Sequence, residues 1–261
     1  MDAQLGSPPG TTVAELAATL GSQGWVVLPD RLPAQFVAEL AAAFGAVLDR
    51  HLAGADPNRG VNRHQAYVPF EPPFSDPALW GQPTVLAVLD AVLGPDFECT
   101  YYGSDTPFPG AEHQPAHQDG APLFPGWDVT PPPYSIALNV PLVDVDEANG
   151  PLELFPGPHQ PDPAAEPLRC TLPAGGILLR DARVWHRGSP NVGAAPRPML
   201  ALLYTRPWYR FVLDRPAITA EAYAALPDPG RRLFRGADRP RSRATGDRPR
   251  LAVAPPPAPW P

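Results

Sequence analysis

Two textures divide the chain. Before residue 97, apolar positions recur with helical spacing. Thr12-Val13-Ala14-Glu15 has the form of a capping box and predicts a short helix ending near Gly21. Trp25–Leu28 is a short apolar run between turn residues, and predicts a strand. Pro33 suits a first helical turn. Phe36, Val37, Leu40, Phe44, Val47 and Leu48 then form one apolar face, which predicts a helix to about Arg50. Residues 51–82 are polar and Pro-rich and read as an ordered excursion or lid. A further helix is expected over Pro83–Leu93, stopped by Gly94-Pro95.

From residue 97, short β-prone runs alternate with Pro and Gly turns. Phe97–Tyr102, Ser135–Val145, Leu152–Phe155, Ile177–Leu179 and Met199–Tyr204 are the clearest strands. This spacing fits a sandwich or jelly roll, not alternating βαβ units. The expected fold is mainly β with flanking helices. A single domain over 11–237 is expected between a disordered stretch, 1–10, and a disordered Arg/Pro-rich tail, 238–261.

Composition then removes several function classes. The net charge is -7, so there is no basic footprint for nucleic acid. All 20 cationic residues are Arg, and without Lys neither Schiff-base nor P-loop chemistry is open to the chain. Cys99 and Cys170 lie far apart in apolar surroundings and read as buried thiols. No apolar run approaches the ~20 residues that span a bilayer, and the first residues lack the form of a signal peptide. The expectation is a cytoplasmic protein acting on a small molecule, with no nucleic-acid or membrane partner; its oligomeric state is left open.

The chemistry-bearing signal is His117-Gln118-Asp119. On a strand, residues i and i+2 share a face, so this triplet aims an imidazole and a carboxylate at one point. A distant imidazole would complete a two-His, one-carboxylate face of an octahedral iron(II), leaving three positions for co-substrate and O₂. His186 follows Gly175-Gly176 and the apolar run Ile177–Leu179, just beyond an expected strand. Arg197 comes eleven residues later, at the start of the next run. There a guanidinium could grip the far carboxylate of a dicarboxylate with two parallel hydrogen bonds. A His₂Asp site could equally hold zinc for hydrolysis, and a non-catalytic β-barrel binding module is a further alternative.

These stretches resemble the phytanoyl-CoA dioxygenase family of iron(II) and 2-oxoglutarate enzymes. The resemblance runs from about Trp25 to Trp208. It is carried by Pro109–Gly120, Asn139–Val145, Asn149–His159 and Trp185–Asn191 with Arg197. Pro158 departs slightly from the family's usual small hydroxyl residue. The resemblance implies a double-stranded β-helix (a cupin-like jelly roll) with His117, Asp119 and His186 as iron ligands and Arg197 as the 2-oxoglutarate anchor. It also implies O₂ consumption with release of succinate and CO₂. Beside the motifs, Gln114 and Ser189 are candidate second contacts to 2-oxoglutarate, and His113, Phe124 and Trp127 candidate substrate contacts. His159 reads as structural.

The approach Glu112–His117 and the run Arg180–Pro198 are similar to the bacterial branch that tailors antibiotics, such as kanamycin B dioxygenase. That similarity implies hydroxylation or oxidative cyclisation of a sugar-containing secondary metabolite, with an acyl-CoA as the alternative substrate. Related halogenating enzymes lack the carboxylate, whereas Asp119 is present here. Segments 51–82 and 103–134 are the expected pocket mouth. They carry only Arg59 and Arg63 as cations, and Tyr101, Tyr102, Phe108, Phe124, Trp127 and Tyr134 supply flat walls in or beside them.

Overall fold

The first helix starts where its cap requires. In a computed structural model that describes residues 6–28, 32–54, 56–120, 123–124, 131–157, 166–209 and 215–237, α1 spans Val13–Gln23. The Thr12 side chain accepts from Glu15 N–H while Glu15 accepts from Thr12 N–H at 2.7 Å. The helix runs through Gly21, where it was expected to end, and stops at Gly24 with φ 89°. Gly in a helix interior costs only about 1 kcal/mol. Leu16 and Leu20, both fully buried, hold the turn down. After β1 (Trp25–Val27) comes α2 (Ala34–Leu52), which buries Val37, Leu40, Phe44 and Val47. A short α3 (Pro77–Trp80) and α4 (Pro83–Leu93) follow. The Gln82 side chain accepts from Val85 N–H to cap α4.

The excursion at 51–82 is ordered through the sheet. Its β2 (Arg63–His64) pairs with the end of β3 (Glu98–Pro107), and Tyr67 bridges Gly103. The remaining strands are β4 (Ser135–Pro141), β5 (Leu152–Leu154), β6 (Leu168–Cys170), β7 (Leu178–Asp181), β8 (His186–Gly188) and β9 (Met199–Thr205), before α5 (Ala220–Ala225) and α6 (Asp228–Leu233). They form a six-stranded sheet in the order β1-β7-β4-β9-β3-β2 and a three-stranded sheet in the order β6-β5-β8, with every strand pair antiparallel. This is the expected jelly-roll class with flanking helices.

The large sheet is covered on both faces, so its strands read as apolar runs rather than alternating ones. Val26, Leu179, Leu138, Leu202 and Tyr102 belong to one core with the helix residues Leu16, Leu40, Phe44, Val88 and Leu89. The residues between them face the interior of the roll. Cross-strand register lines up Trp25, Arg180, Ala137, Leu203 and Tyr101, then Val27, Leu178, Asn139, Ala201 and Gly103, then Pro141, Met199 and Asp105. One β-bulge sets this phase in β3: Cys99 pairs Tyr204 and Tyr101 pairs Leu203, leaving Thr100 as the extra residue. The Tyr101 ring lies over Gly103, where a Cβ would fall 2.2 Å from the phenol oxygen.

Three local expectations change. Gly6 bridges Val27 and Ser7 N–H donates to Val27 O, so the described part of the stretch read as disordered is tied to the sheet edge. Tyr102 faces the helical core and donates to Phe74 O at 2.6 Å, so it is no wall of a mouth. Arg63 is no mouth cation but fully buried. The 238–261 tail, Pro158 and His159 lie outside the described residues.

Candidate active site

His117 and His186 meet through the backbone. Each N–H donates to the other's carbonyl at 2.9 Å, a bridge that turns both side chains to one face. Two residues on, Asp119 N–H donates to Ala182 O at 2.9 Å, so the His-x-Asp spacing presents its carboxylate on that same face. The turn from β7 to β8 is fixed by Arg183, whose guanidinium forks onto Asp181 at 2.9 and 2.6 Å. It delivers His186, 4% exposed, into the roll.

Both rings are oriented by local carbonyls. His117 Nδ1 lies 2.8 Å from Pro115 O, and His186 Nδ1 lies 2.9 Å from Val184 O. Arg180 Nη1 also stands 3.2 Å from His186 Nδ1. A carbonyl can only accept, so His117 Nδ1 carries the proton; at His186 the carbonyl is the shorter Nδ1 contact and Arg180 has Asp119 as its principal partner, an arrangement that favours the same tautomer. Each Nε2 is thereby left as a lone-pair donor. Asp119 Oδ1 lies 3.5 Å from His186 Nε2 and 4.0 Å from His117 Nε2. One ligand atom from each of the three residues falls within 4.8 Å of the others.

Asp119 divides its oxygens. Oδ1 faces the imidazoles, while Oδ2 accepts from Arg180 Nη2 at 2.6 Å. Arg180 sits on β7 in the opposite sheet, so this pair ties the two sheets together at the site. Burial pushes the Asp119 carboxyl up, but Arg180, with His186 and His117, outweighs it and holds the group well below the usual carboxylate range. Burial and the neighbouring His186 bring the His117 imidazole down to about 4. At neutral pH Asp119 is therefore a carboxylate and His117 a neutral imidazole.

Arg180 was not singled out in the sequence. The signal was there: a charge closing an all-apolar strand, Ile177-Leu178-Leu179-Arg180. Arg180→Met should lower metal affinity about 10–100-fold while leaving all three donors in place, the scale for losing a group that orients a ligand. Arg180→Lys should recover part of it. Metal titration of the variants checks this, and an unchanged affinity in Arg180→Met would remove Arg180 from the site.

Further along the same inner face, Arg197 N–H donates to Pro107 O, extending the β3–β9 ladder. Its side chain is 1% exposed. Nη2 donates to Gly150 O at 2.6 Å, while Nε and Nη1 have no partner among the described residues. Burial brings this guanidinium down to about 10, opposed by Asp105. Asn139 also faces inward, and its buried Oδ1 has no partner among the described residues. Tyr101, Ala137 and Leu203 form an apolar patch beside them.

The other candidates are placed as follows. Gln114 donates to Arg59 O and accepts from Gly188 N–H, both at 2.9 Å, stitching the excursion to β8. Ser189 donates to Pro151 O at 2.7 Å. The ring of His113 meets Glu153 at 3.5 Å, in a cluster with Arg187 and Arg169. Arg187 alternates with His186 on β8, which puts that cluster on the face turned away from His117, Asp119 and His186. Phe124 is 47% exposed, and Trp127 lies outside the described residues. Tyr209 was missed: a Cβ on Gly120 would fall 2.7 Å from its hydroxyl, which puts the phenol beside Asp119.

The phytanoyl-CoA dioxygenase (PhyH) family profile matches residues 20–199. The iron/alpha-ketoglutarate-dependent dioxygenase ausU of Aspergillus calidoustus is 33% identical over 107 residues, covering 37% of this chain and 36% of that protein. The chain thus spans about a third of that relative's length. Among solved structures, AviO1 from Streptomyces viridochromogenes Tue57 superposes with a TM-score of 0.60 at 18% identity, over 78% of this chain and 99% of that one. The non-heme alpha ketoglutarate dependent carbocyclase SnoK from nogalamycin biosynthesis gives 0.60 at 18%, over 77% and 87%. The epimerase SnoN, from the same biosynthesis, gives 0.57 at 23%, over 80% and 89%. At these identities the likeness concerns the fold.

Proposed function

Because this chain belongs to the phytanoyl-CoA dioxygenase family, we propose that it is a non-haem iron(II), 2-oxoglutarate-dependent oxygenase that hydroxylates or oxidatively cyclises a small metabolite. The observation that carries this reading is one inner face with two matched features. Nε2 of His117, Oδ1 of Asp119 and Nε2 of His186 converge at one end, and buried Arg197 holds two unpaired donors on the same inner face. The donor set fits the group. Two imidazoles and one carboxylate from one side suit iron(II) and leave the opposite side free. A zinc hydrolase would have no use for the buried guanidinium.

In this reading the three side chains hold the ion, and Arg180 keeps Asp119 turned so that only Oδ1 reaches it. Arg197 binds the distal carboxylate of 2-oxoglutarate through its unpaired nitrogens. Gln114 and Ser189 support that end through the backbone they hold. Iron bound there supplies O₂ activation coupled to decarboxylation of 2-oxoglutarate to succinate and CO₂. The Tyr101, Ala137 and Leu203 patch keeps the neighbouring space dry.

For the substrate, we favour a sugar-containing or polycyclic secondary metabolite over an acyl-CoA. SnoK and SnoN, enzymes of nogalamycin biosynthesis, share the fold, in line with the antibiotic-tailoring resemblance. Of the two Arg of the 51–82 excursion, Arg63 is fully buried on Asp105 and Arg59 gives its Nε to Gln65, which leaves no cluster of cations there for the phosphates of a CoA. Among the described residues no helix is long and apolar enough to cross a membrane. Succinate release from iron-loaded enzyme is expected with members of a glycosylated-metabolite panel and not with phytanoyl-CoA, and the products should be oxygenated or cyclised. Coupled oxidation of the acyl-CoA alone would overturn the substrate class. Chlorinated product in chloride buffer would overturn the reaction type.

A further inference from the structure

Next to Arg197 the roll holds a second buried guanidinium. Arg63, on β2, is fully buried. Its Nη1 donates to Asp105 Oδ2 at 2.9 Å and its Nη2 to Ser189 O at 2.9 Å. The space is cut to its shape: a Cβ on Gly188 would lie 2.5 Å from the Arg63 Cζ. Arg197 Nη2 stands 3.8 Å from that same Asp105 oxygen. Asp105 is thus one carboxylate between two guanidiniums, bonded to one and held just short of the other. Its side chain keeps 33% of its exposure, so it is not locked in place and has room to turn.

We propose that Asp105 is the internal counter-ion of the co-substrate pocket, and that Arg63 is a positioning residue that holds Asp105 off Arg197. This rests on the reading of Arg197 as the carboxylate anchor. Two guanidiniums and one carboxylate leave one net positive charge, which a single incoming carboxylate neutralises. Without Arg63, Asp105 would neutralise Arg197 and close the remaining distance onto its fork. The incoming carboxylate would then meet a neutral pair with an acid already in its place. Arg63 therefore acts on affinity for 2-oxoglutarate without touching it.

Charge arithmetic gives the test a sign that a merely structural role cannot reproduce. Nickel-loaded protein is titrated calorimetrically with 2-oxoglutarate, and with oxalate, which chelates the metal but has no distal carboxylate. Arg63→Gln should weaken 2-oxoglutarate about 10–100-fold, the scale of one charge-assisted interaction, and leave oxalate unchanged. Asp105→Asn should bind 2-oxoglutarate as tightly as wild type or more tightly. The double variant Arg63→Gln/Asp105→Asn restores the net positive charge and should return to within about threefold of wild type, since residues in one network couple. Wild-type affinity in Arg63→Gln, or a double variant as weak as Arg63→Gln, would overturn the inference. If Arg63→Gln does not fold, Asp105→Asn decides alone, and weaker binding there overturns it. Wild-type protein that binds oxalate but not 2-oxoglutarate would instead refute the proposed function.

Discussion

Asp119→Ala is expected to abolish iron-dependent turnover and to lower metal affinity by more than about 100-fold, beyond the range for losing a merely supporting partner. His117→Ala and His186→Ala should do the same, because each removes one of three converging donors. Asp119 differs from the two imidazoles in a second consequence. Its removal leaves Arg180, whose side chain is 5% exposed, without its carboxylate. Stripping one partner from a fully buried pair costs ~3–5 kcal/mol. Asp119 keeps 30% of its side-chain exposure, so solvent reduces that figure here. Asp119→Asn retains an acceptor for Arg180 and should melt close to wild type while still failing to hold iron. Metal content after dialysis, read with the melting temperature, separates the two effects. Near-wild-type iron content and turnover in Asp119→Ala would sink the triad.

Arg197→Leu should raise the KM for 2-oxoglutarate by roughly 100-fold, the loss of a charge-assisted fork. Arg197→Lys should recover only part, since a point charge does not reproduce two parallel bonds. Stability should move the other way or not at all. Nε and Nη1 of this buried cation have no partner among the described residues. Replacing a poorly compensated buried charge by an apolar side chain of similar size is often neutral or stabilising. A variant that melts no lower than wild type yet needs far more co-substrate would mark Arg197 as functional. An unchanged KM in both variants would move the anchor. Arg187 and Arg206 are poor replacements, being engaged with Glu153 and with the carbonyls of Pro133 and Val92.

What could be read in the sequence followed burial. β1, β4, β7 and β9 are covered on both faces, so their apolar runs stood out, and the capping signals at Thr12 and Pro33 marked their helices. The second half of β3 did not stand out. Gly103, Asp105 and Pro107 look like turn residues, yet Gly103 is small because Tyr101 lies over it, and Asp105 is acidic because two guanidiniums flank it. β2, β6 and β8 are two or three residues long and partly polar, too short for any periodicity. The convergence of His117, Asp119 and His186 was legible because a His-x-Asp spacing stood together with a distant His beyond an apolar run and an Arg eleven residues on. Arg63 and Arg180 were not, because every cation in this chain is Arg, and residue type alone does not separate a buried guanidinium from a solvated one.

The bulge at Thr100 works as a frame setter. A strand is read by its sheet two residues at a time, and one extra residue switches which letters are shown to which side. In the frame that the bulge imposes, β3 shows Tyr101, Gly103 and Asp105 to the pocket and Tyr102 to the helices. The same letters in the other frame would turn Tyr102, Ser104 and Thr106 inward, leaving Arg63 and Arg197 with no carboxylate between them. One unpaired residue, far along the strand from either guanidinium, thus decides the electrical character of the cavity.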